Sequence, residues 1–168
     1  MQELEEGTEP SLDFEKLRKV GSGAGSVLPV VLQHAESEAV LFVGYANQQA
    51  LEETLARHEA VLWSTSRNEL WHKGATSGDV LELVEVRVNC EQSTPRPLLS
   101  WKAPLRCRNP PRSLLDRTWC ADSLLYLVRP VKGGVCHTKD GNGNTRLSCY
   151  YRTLKDDGTL EMRPEASR

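Results

Sequence analysis

The sequence has few aromatic residues, almost no excess of either charge and no long apolar run. Aromatic residues make up 6% of the 168 positions, and 21 Lys plus Arg stand against 23 Asp plus Glu, a net charge of −2. Such balance argues against a nucleic-acid binder held by bulk charge. The longest apolar run, residues 39–43, is far too short to span a bilayer. We therefore expect partners that are neither nucleic acid nor membrane.

The N-terminal residues lack the apolar core of a secretory signal and the Arg-rich, acid-poor composition of a transit peptide. Five cysteines are an odd number, which argues against a complete disulfide framework in the absence of a secretion signal. These features predict a cytoplasmic protein whose cysteines stay reduced. Metal binding or reactive thiol chemistry is then the better explanation for them.

The composition is that of an ordinary globular domain, with 39% hydrophobic and 26% charged residues. A chain of this length buries roughly 68–70% of its unfolded surface, which is enough for a core without disulfides. We expect a flexible polar lead-in over residues 1–25, one domain over 26–153 and a charged tail over 154–168.

Apolar and β-branched residues fall in short runs separated by polar turns, which is typical of strands. One helix is expected after a possible N-cap at Asn47, over residues 48–58, with Leu51 and Leu55 four apart on one face. The fold class is therefore mainly β with one principal helix, of α+β character. The predicted strands are 27–33, 39–45, 61–65, 80–88, 123–129 and 147–152.

Residues 93–121 differ from everything around them. They hold five of the nine prolines, and five Arg and one Lys against a single Asp. Such proline density excludes a central strand or a long helix, so we interpret the segment as an insert in the loop between two strands. Its cysteines, Cys107 and Cys120, are expected to be free loop thiols rather than metal ligands.

Three cysteines form the first candidate site: Cys90 at the end of a predicted strand, Cys136 followed directly by His137, and Cys149. Thiolate and imidazole are ligands suited to zinc, and three protein ligands leave the fourth tetrahedral position for water. The spacing lacks a tight Cys-x2-Cys knuckle, so it leaves open that these are buried cysteines acting as small apolar residues.

A second candidate site lies in residues 63–78, where hydroxyls, glycines, two cations and two indoles occur within sixteen positions. Backbone N–H groups, hydroxyls and positive charges together can hold a phosphate. The alternative is a polar loop that its tryptophans anchor to the core. The candidate binding residues are Ser64, Arg67, Trp71, His72, Lys73, Thr76 and Ser77.

The order of these residues resembles the phosphoribosyl-AMP cyclohydrolase family, the enzymes of the third step of histidine biosynthesis. The resemblance covers about residues 27–92 and 122–153, and two short stretches in combination are its most specific part. The matching stretches are Gly44-Tyr-Ala-Asn-Gln-Gln-Ala-Leu-Glu-Glu-Thr-Leu55, Trp63-Ser-Thr-Ser-Arg67, Leu70-Trp-His-Lys-Gly-Ala-Thr-Ser-Gly78, Gly133-Gly-Val-Cys-His-Thr138 and Ser148-Cys-Tyr-Tyr-Arg152.

The resemblance implies a β-rich fold, which we expect as a compact sandwich or pseudobarrel of short strands, and a homodimer with active sites at the subunit interface. It implies a zinc ion held by Cys90, Cys136 and Cys149 from both chains. It assigns catalytic roles to His137 and His72, with His137 beside the zinc for proton transfer. The residues of the second candidate site would bind phosphoribosyl-AMP.

The implied reaction opens the adenine ring by attack of hydroxide on C6 and cleavage of the N1–C6 bond. Zinc suits it because the metal can lower the pKa of its bound water to about 7. An imidazole near the departing nitrogen could supply the proton. The exocyclic nitrogen stays with the product, so this is not a deamination.

The sequence departs from the family where magnesium is expected. The family shows Asp-Cys-Asp-x-Asp around the first zinc cysteine, and with residues 93–121 spliced out the three aspartate positions hold Asn89, Glu91 and Asp122. One carboxylate is lost and another is longer, so we expect weakened or altered Mg²⁺ binding. Solvation of Glu91 is the alternative to metal binding.

Two other functions compete with an active zinc cyclohydrolase. Asn89 and the displacement of Asp122 by the insert suggest a nucleotide-binding relative without catalysis. The basic insert suggests a structural zinc or interaction protein that uses 93–121 as its recognition surface. The insert itself can be a tolerated extension, a regulatory or dimer-contact loop, or sequence foreign to the functional product.

Overall fold

The computed structural model describes residues 7–8, 27–89 and 122–163. Within them the chain is mainly β with one helix, so the predicted fold class is confirmed. The elements in chain order are β1 (Leu28–His34), β2 (Val40–Ala46), α1 (Gln48–Arg57), β3 (Val61–Ser64), β4 (Glu69–His72), β5 (Leu81–Val88), β6 (Leu124–Pro130), β7 (Arg152–Leu154) and β8 (Leu160–Met162).

Four strands form the main sheet, in the order β2-β1-β6-β5. β1 pairs antiparallel with β2 and parallel with β6, and β5 pairs antiparallel with β6. The two central strands supply the most deeply buried side chains, among them Val30, Leu32, Tyr126 and Val128. Strands that are covered on their apolar faces favour such β-branched and aromatic residues.

The β3–β4 hairpin packs against the main sheet through Leu62, which belongs to the same buried core as Val30 and Tyr126. Gly44 in β2 makes room for it, because a Cβ there would lie 3.1 Å from Leu62 Cδ1. β4 continues into the loop of the second candidate site. The packing of Leu62 therefore fixes where that loop begins.

Helix α1 begins as predicted, since Asn47 Oδ1 accepts a hydrogen bond from the Ala50 N–H at 2.8 Å. Its buried face is carried by Ala50 and Thr54. Of the two leucines expected on one face, Leu51 is partly buried against the core, whereas Leu55 is 44% exposed. Thr54 Oγ1 joins the helix to β3: it accepts from the Val61 N–H at 3.0 Å. The hydrogen bond to Val61 requires Thr54 to lie against β3, so the helix face that carries Thr54 is the buried one.

No helix in the described ranges is long and apolar enough to cross a membrane. The predicted strands near 27–33, 39–45, 61–65, 80–88 and 123–129 are all present within one or two residues of their expected ends. Apart from residues 7–8, the predicted lead-in over residues 1–25 lies outside the described residues, as does the 93–121 insert.

The structure differs from the sequence prediction at three places. Residues 147–151 are not a strand: Cys149 N–H donates to the Leu41 carbonyl, and the Ser148 hydroxyl to Val40, as separate contacts rather than a ladder. β4 was not among the predicted strands; it pairs with β3 from Val61↔His72 to Ser64↔Glu69. β7 and β8 form a further hairpin, and β8 lies in the segment expected as a charged tail over 154–168.

Candidate active site

Two of the three predicted zinc cysteines lie in contact. Cys136 is buried in the loop after β6, Cys149 is exposed, and both are free thiols joined by a side-chain hydrogen bond. The backbone holds each in place: Cys136 N–H donates to the Arg146 carbonyl at 3.1 Å, and Cys149 N–H donates to Leu41 in β2 at 2.8 Å. Thirteen positions apart in sequence, the two sulfurs are thus presented as a pair.

The pKa values of the two thiols are shifted in opposite directions. The hydrogen bond from Cys149 is the largest cause that lowers the pKa of Cys136, and hydrogen bonds from Thr138 and the charge of His137 lower it further against desolvation. The same hydrogen bond, followed by desolvation, raises the pKa of Cys149. One sulfur is therefore stabilised as a thiolate, which is the form that binds metals.

Lys73 brings the second candidate site to this thiol pair. Its ammonium is close enough to Cys149 to oppose the rise in the pKa of that thiol. Lys73 Nζ also lies 5.7 Å from the centre of the Trp71 ring, and Trp71 packs on Phe42 with ring centres 6.0 Å apart. The Trp-His-Lys-Gly stretch and the Cys-His-Thr stretch thus converge on one place.

Gly74 shapes the loop that follows Lys73. Its φ is +87°, and a Cβ on it would lie 2.1 Å from the Asp79 carbonyl oxygen. The Gly74 carbonyl accepts the Gly78 N–H at 2.7 Å, which closes the turn over residues 74–78. Only glycine fits this position without moving the turn.

The two predicted catalytic histidines have different surroundings. His137 follows Cys136 directly and is exposed, so its imidazole can reach a bound molecule. His72 Nε2 lies 2.7 Å from Glu59 Oε2, and both side chains are partly buried. A carboxylate therefore faces one ring nitrogen of His72 and would stabilise the imidazole in its protonated form.

The remaining predicted binding residues lie further from the thiols. Ser64 and Arg67 are at the turn end of the β3–β4 hairpin, where Arg67 Nε is 3.3 Å from Ser64 Oγ and 2.9 Å from Glu69 Oε1. Within the described residues, no contact joins them to the thiol pair. Thr76 and Ser77 are exposed in the turn after Lys73, and Ser77 Oγ accepts the Asp79 N–H at 3.2 Å.

The residues on both sides of the insert meet again. Asn89 donates through its amide to Asp122 Oδ1, and the Ser123 hydroxyl donates to the same oxygen at 3.0 Å. The register Val88↔Leu124 brings them together. Among the described atoms, Asn89 Oδ1 is buried without a hydrogen-bond partner. An amide and a carboxylate oxygen side by side are donors of the kind that Mg²⁺ takes.

Cys90 and Glu91, the remaining predicted metal ligands, lie outside the described residues. Within the described ranges, no three His, Cys, Asp or Glu side chains lie close enough to hold a metal ion. The chemistry of the two thiols fits a zinc site that is completed by a further ligand.

Comparisons with known proteins identify the family of this chain. A family model described as phosphoribosyl-AMP cyclohydrolase matches residues 42–102. The phosphoribosyl-AMP cyclohydrolase of Archaeoglobus fulgidus is 36% identical over 131 residues, which cover 78% of this chain and 88% of that protein. This chain belongs to the phosphoribosyl-AMP cyclohydrolase family. Members of this family are hydrolases, so the prediction of an enzyme is confirmed.

Bacterial relatives give the same result. The phosphoribosyl-AMP cyclohydrolase of Sphingopyxis alaskensis is 36% identical over 82% of this chain and 79% of its own length. That of Desulfatibacillum aliphaticivorans is 36% identical over 87% of this chain and 83% of its own length. The phosphoribosyl-AMP cyclohydrolase resemblance therefore extends well past the 42–102 match.

Sequence reasoning missed three residues that contact the predicted site residues. Glu59 faces His72, Thr138 Oγ1 lies 3.1 Å from Cys136 Sγ, and the Arg146 guanidinium donates to that hydroxyl at 3.0 Å. Thr138 belongs to the Cys-His-Thr stretch, so its place in that motif could have indicated that it lies at the site. Nothing in the pattern around Glu59 or Arg146 indicates that these side chains turn toward the site.

Proposed function

We propose that this chain hydrolyses phosphoribosyl-AMP at the N1–C6 bond in histidine biosynthesis. The oxygen of water bonds to C6 and becomes the carboxamide oxygen, N1 leaves with a proton, and the exocyclic nitrogen stays on the product. The observation that supports this reaction best is the thiol pair Cys136–Cys149 with Lys73 beside it. Soft metal donors and a cation for a phosphorylated substrate meet there.

The proposed zinc ligands are Cys90, Cys136 and Cys149, kept reduced in the cytoplasm. Zinc supplies, when bound, a Lewis acid that makes water acidic enough to attack near neutral pH. The hydrogen bond between Cys136 and Cys149 supports two of the three ligands, because neighbouring thiols can give up their protons and bind one metal ion together.

The two histidines would have different roles in proton transfer. His137 is exposed beside Cys136, so we assign it the delivery of the proton to the departing N1. His72 Nε2 lies 2.7 Å from Glu59 Oε2, so a carboxylate faces its imidazole. Its role would be to orient the substrate as well as to exchange a proton.

Two phosphates on the substrate need separate cationic places. Lys73, with the hydroxyls of Thr76 and Ser77 in the following turn, would hold one of them next to the thiols. Arg67, steadied by Ser64 and Glu69, would hold the other at the far end of the hairpin. The exposed part of the Trp71 ring offers a face for stacking between these places.

We also propose that the short strands form a compact sandwich or pseudobarrel and that two chains associate as a homodimer with active sites at their interface. β2 is an edge strand of the main sheet, and its Val40 and Val43 are 44% and 45% exposed. Tyr150, beside Cys149, is 45% exposed. Because Cys136 and Cys149 pair within one chain, a site shared between chains requires Cys90 from the partner.

The first test is turnover of phosphoribosyl-AMP by zinc-loaded protein. Cys136→Ser should abolish turnover and deplete zinc, whereas Cys107→Ser, a change in the insert, should preserve both. Full activity of Cys136→Ser would refute the proposed site.

Mixing inactive chains tests the shared site. Cys90→Ser and Cys136→Ser chains, each inactive alone, should regain about one quarter of the wild-type sites after subunit exchange, since half of random dimers are mixed and each has one intact site. Absence of recovery in dimers shown to have exchanged would place all three ligands in one chain.

A catalytically impaired, nucleotide-binding relative is the second candidate. The observation that favours it is the amide of Asn89 at the Asp122 carboxylate, which occupies an oxygen that Mg²⁺ would take. It predicts saturable AMP binding without turnover at any Mg²⁺ concentration. Turnover that rises with Mg²⁺ would exclude it and support a weakened magnesium site at Asn89, Glu91 and Asp122.

A further inference from the structure

Arg146 is a buried cation behind the thiol pair. Only 8% of the residue is exposed, and its guanidinium carbon lies 4.3 Å from the centre of the Tyr151 ring. The Arg146 carbonyl accepts the Cys136 N–H, so this charge lies close to a proposed zinc ligand.

Thr138 connects the cation to the sulfur. The Arg146 guanidinium donates to Thr138 Oγ1 at 3.0 Å, and that oxygen lies 3.1 Å from Cys136 Sγ. Guanidinium can only donate, so the Thr138 oxygen accepts from it, and the single hydroxyl hydrogen is left to point at the sulfur. The two hydrogen bonds therefore run in one direction, from Arg146 to Thr138 and from Thr138 to Cys136. We call this chain of hydrogen bonds the relay.

The backbone makes this relay rigid. The Arg146 carbonyl accepts the N–H groups of Val135 and Cys136, each at 3.1 Å, and the Arg146 N–H donates to the Thr138 carbonyl at 3.3 Å. Gly134 permits the close approach, since a Cβ there would lie 2.5 Å from the Thr145 carbonyl oxygen. Both ends of the loop 135–146 are therefore pinned around the sulfur of Cys136.

We infer that Thr138 and Arg146 are positioning residues of the metal centre, which hold Cys136 as a metal ligand and offset the negative charge of the thiolates. The inference rests on the proposed zinc function. Three thiolates would outweigh the charge of a bound Zn²⁺ and leave the centre anionic, and a buried cation one hydroxyl away would offset that charge. The hydrogen bond to the sulfur would also reduce electron donation to the metal, which would favour the acidity of a water bound to it.

The test is zinc affinity, measured on the intact dimer by competition with a chromophoric chelator. Partners of metal ligands change affinity by about 10–100-fold when removed. Thr138→Val and Arg146→Met should each weaken zinc binding within that range. Thr138→Ser should retain wild-type affinity because it keeps the hydroxyl, and Arg146→Lys should fall between Arg146→Met and wild type because it keeps the charge.

Arg152→Met is the matched control. Arg152 also lies over the Tyr151 ring, with 5.4 Å from its guanidinium carbon to the ring centre, and it donates to the Gly7 carbonyl. The Arg152→Met substitution removes a cation from the same ring but leaves Thr138 and its contacts intact. The zinc affinity of this variant should therefore stay at the wild-type value. A loss equal to that of Arg146→Met would refute the relay.

Co²⁺ provides a second readout that a purely structural role would not alter. The thiolate-to-cobalt absorption per bound Co²⁺ should shift in Thr138→Val but not in Thr138→Ser. If Thr138→Val and Arg146→Met lower thermal stability but leave zinc affinity and the cobalt spectrum unchanged, the inference is wrong and the residues only support the loop. If wild-type protein binds neither metal, the proposed zinc function fails as well, which the variants alone would not show.

Discussion

Asn89 donates its side-chain amide to the Asp122 carboxylate, across a gap of 33 positions in the sequence. This amide–carboxylate hydrogen bond joins the ends of β5 and β6. A neutral donor at Asn89 lets the two side chains meet without the repulsion that a second carboxylate would bring. The hydrogen bond therefore brings together the two ends of the long connection between β5 and β6, next to the candidate site.

Asn89→Asp should make that closure depend on a divalent cation. Two carboxylates at hydrogen-bond distance repel each other, so we expect a loss of stability on the order of 1 kcal/mol in the presence of a chelator. Millimolar Mg²⁺ should restore the melting temperature, whereas wild-type protein should respond little. The measurement is thermal unfolding with and without Mg²⁺. Asp122→Asn is the control, since an amide pair needs no cation; an Mg²⁺ response equal to that of Asn89→Asp would contradict the explanation.

Removal of residues 93–121 should preserve the fold and the activity. The register Val88↔Leu124 and the Asn89–Asp122 hydrogen bond place the two ends side by side, and residues 90–92 then suffice as a short hairpin loop. We expect circular dichroism and turnover close to those of the full chain. Loss of turnover in a folded, zinc-loaded deletion variant would show that the insert takes part in the site.

Gly74→Ala should damage substrate binding through the loop that carries Lys73. The new Cβ would lie 2.1 Å from the Asp79 carbonyl oxygen at φ +87°, so the turn must move. We expect KM for phosphoribosyl-AMP to rise at least tenfold with a smaller change in kcat. Gly143→Ala is the control that distinguishes backbone strain from a steric clash. The φ of Gly143 is also positive, at +81°, but a Cβ added there would meet no atom within 4 Å. An equal rise in KM there would refute the collision argument.

Thr54→Val should destabilise the protein without changing the site. The substitution leaves the Val61 N–H without its acceptor in a buried position, which costs about 1–3 kcal/mol. Denaturant unfolding should show the loss, with an unchanged KM at temperatures where the variant is folded. Thr153→Val, at an exposed position in β7, is the control and should change the unfolding free energy by far less.

The folded protein should lose stability at alkaline pH because of Tyr126. Burial is the largest cause that raises its pKa to about 12, so the folded state keeps a proton that the unfolded state loses above pH about 10. Stability from this group is complete below pH 10 and declines as the pH rises toward 12. Tyr126→Phe should flatten that decline in denaturant titrations between pH 9 and 11. An identical slope in the variant would show that other groups cause it.

The local pattern of the sequence determined most of the secondary structure. Alternation and β-branched runs located β1, β2, β3, β5 and β6, and Asn47 marked the start of α1, because these signals depend on neighbours in the chain. The same logic failed at residues 147–151, whose apolar pattern suggested a strand. There the backbone bonds instead to single carbonyls of β2, which no local signal reveals.

Residue types and their order also determined the candidate chemistry, since the Cys-His-Thr and Trp-His-Lys-Gly stretches were legible as one-dimensional motifs. Only the tertiary structure decided which side chains meet. It paired Cys136 with Cys149, brought Lys73 to them, returned Asp122 to Asn89 and turned Arg146 inward behind Thr138. These contacts depend on the register of distant strands and on loop closure, and such long-range geometry is set by packing of the whole core rather than by any short stretch of sequence.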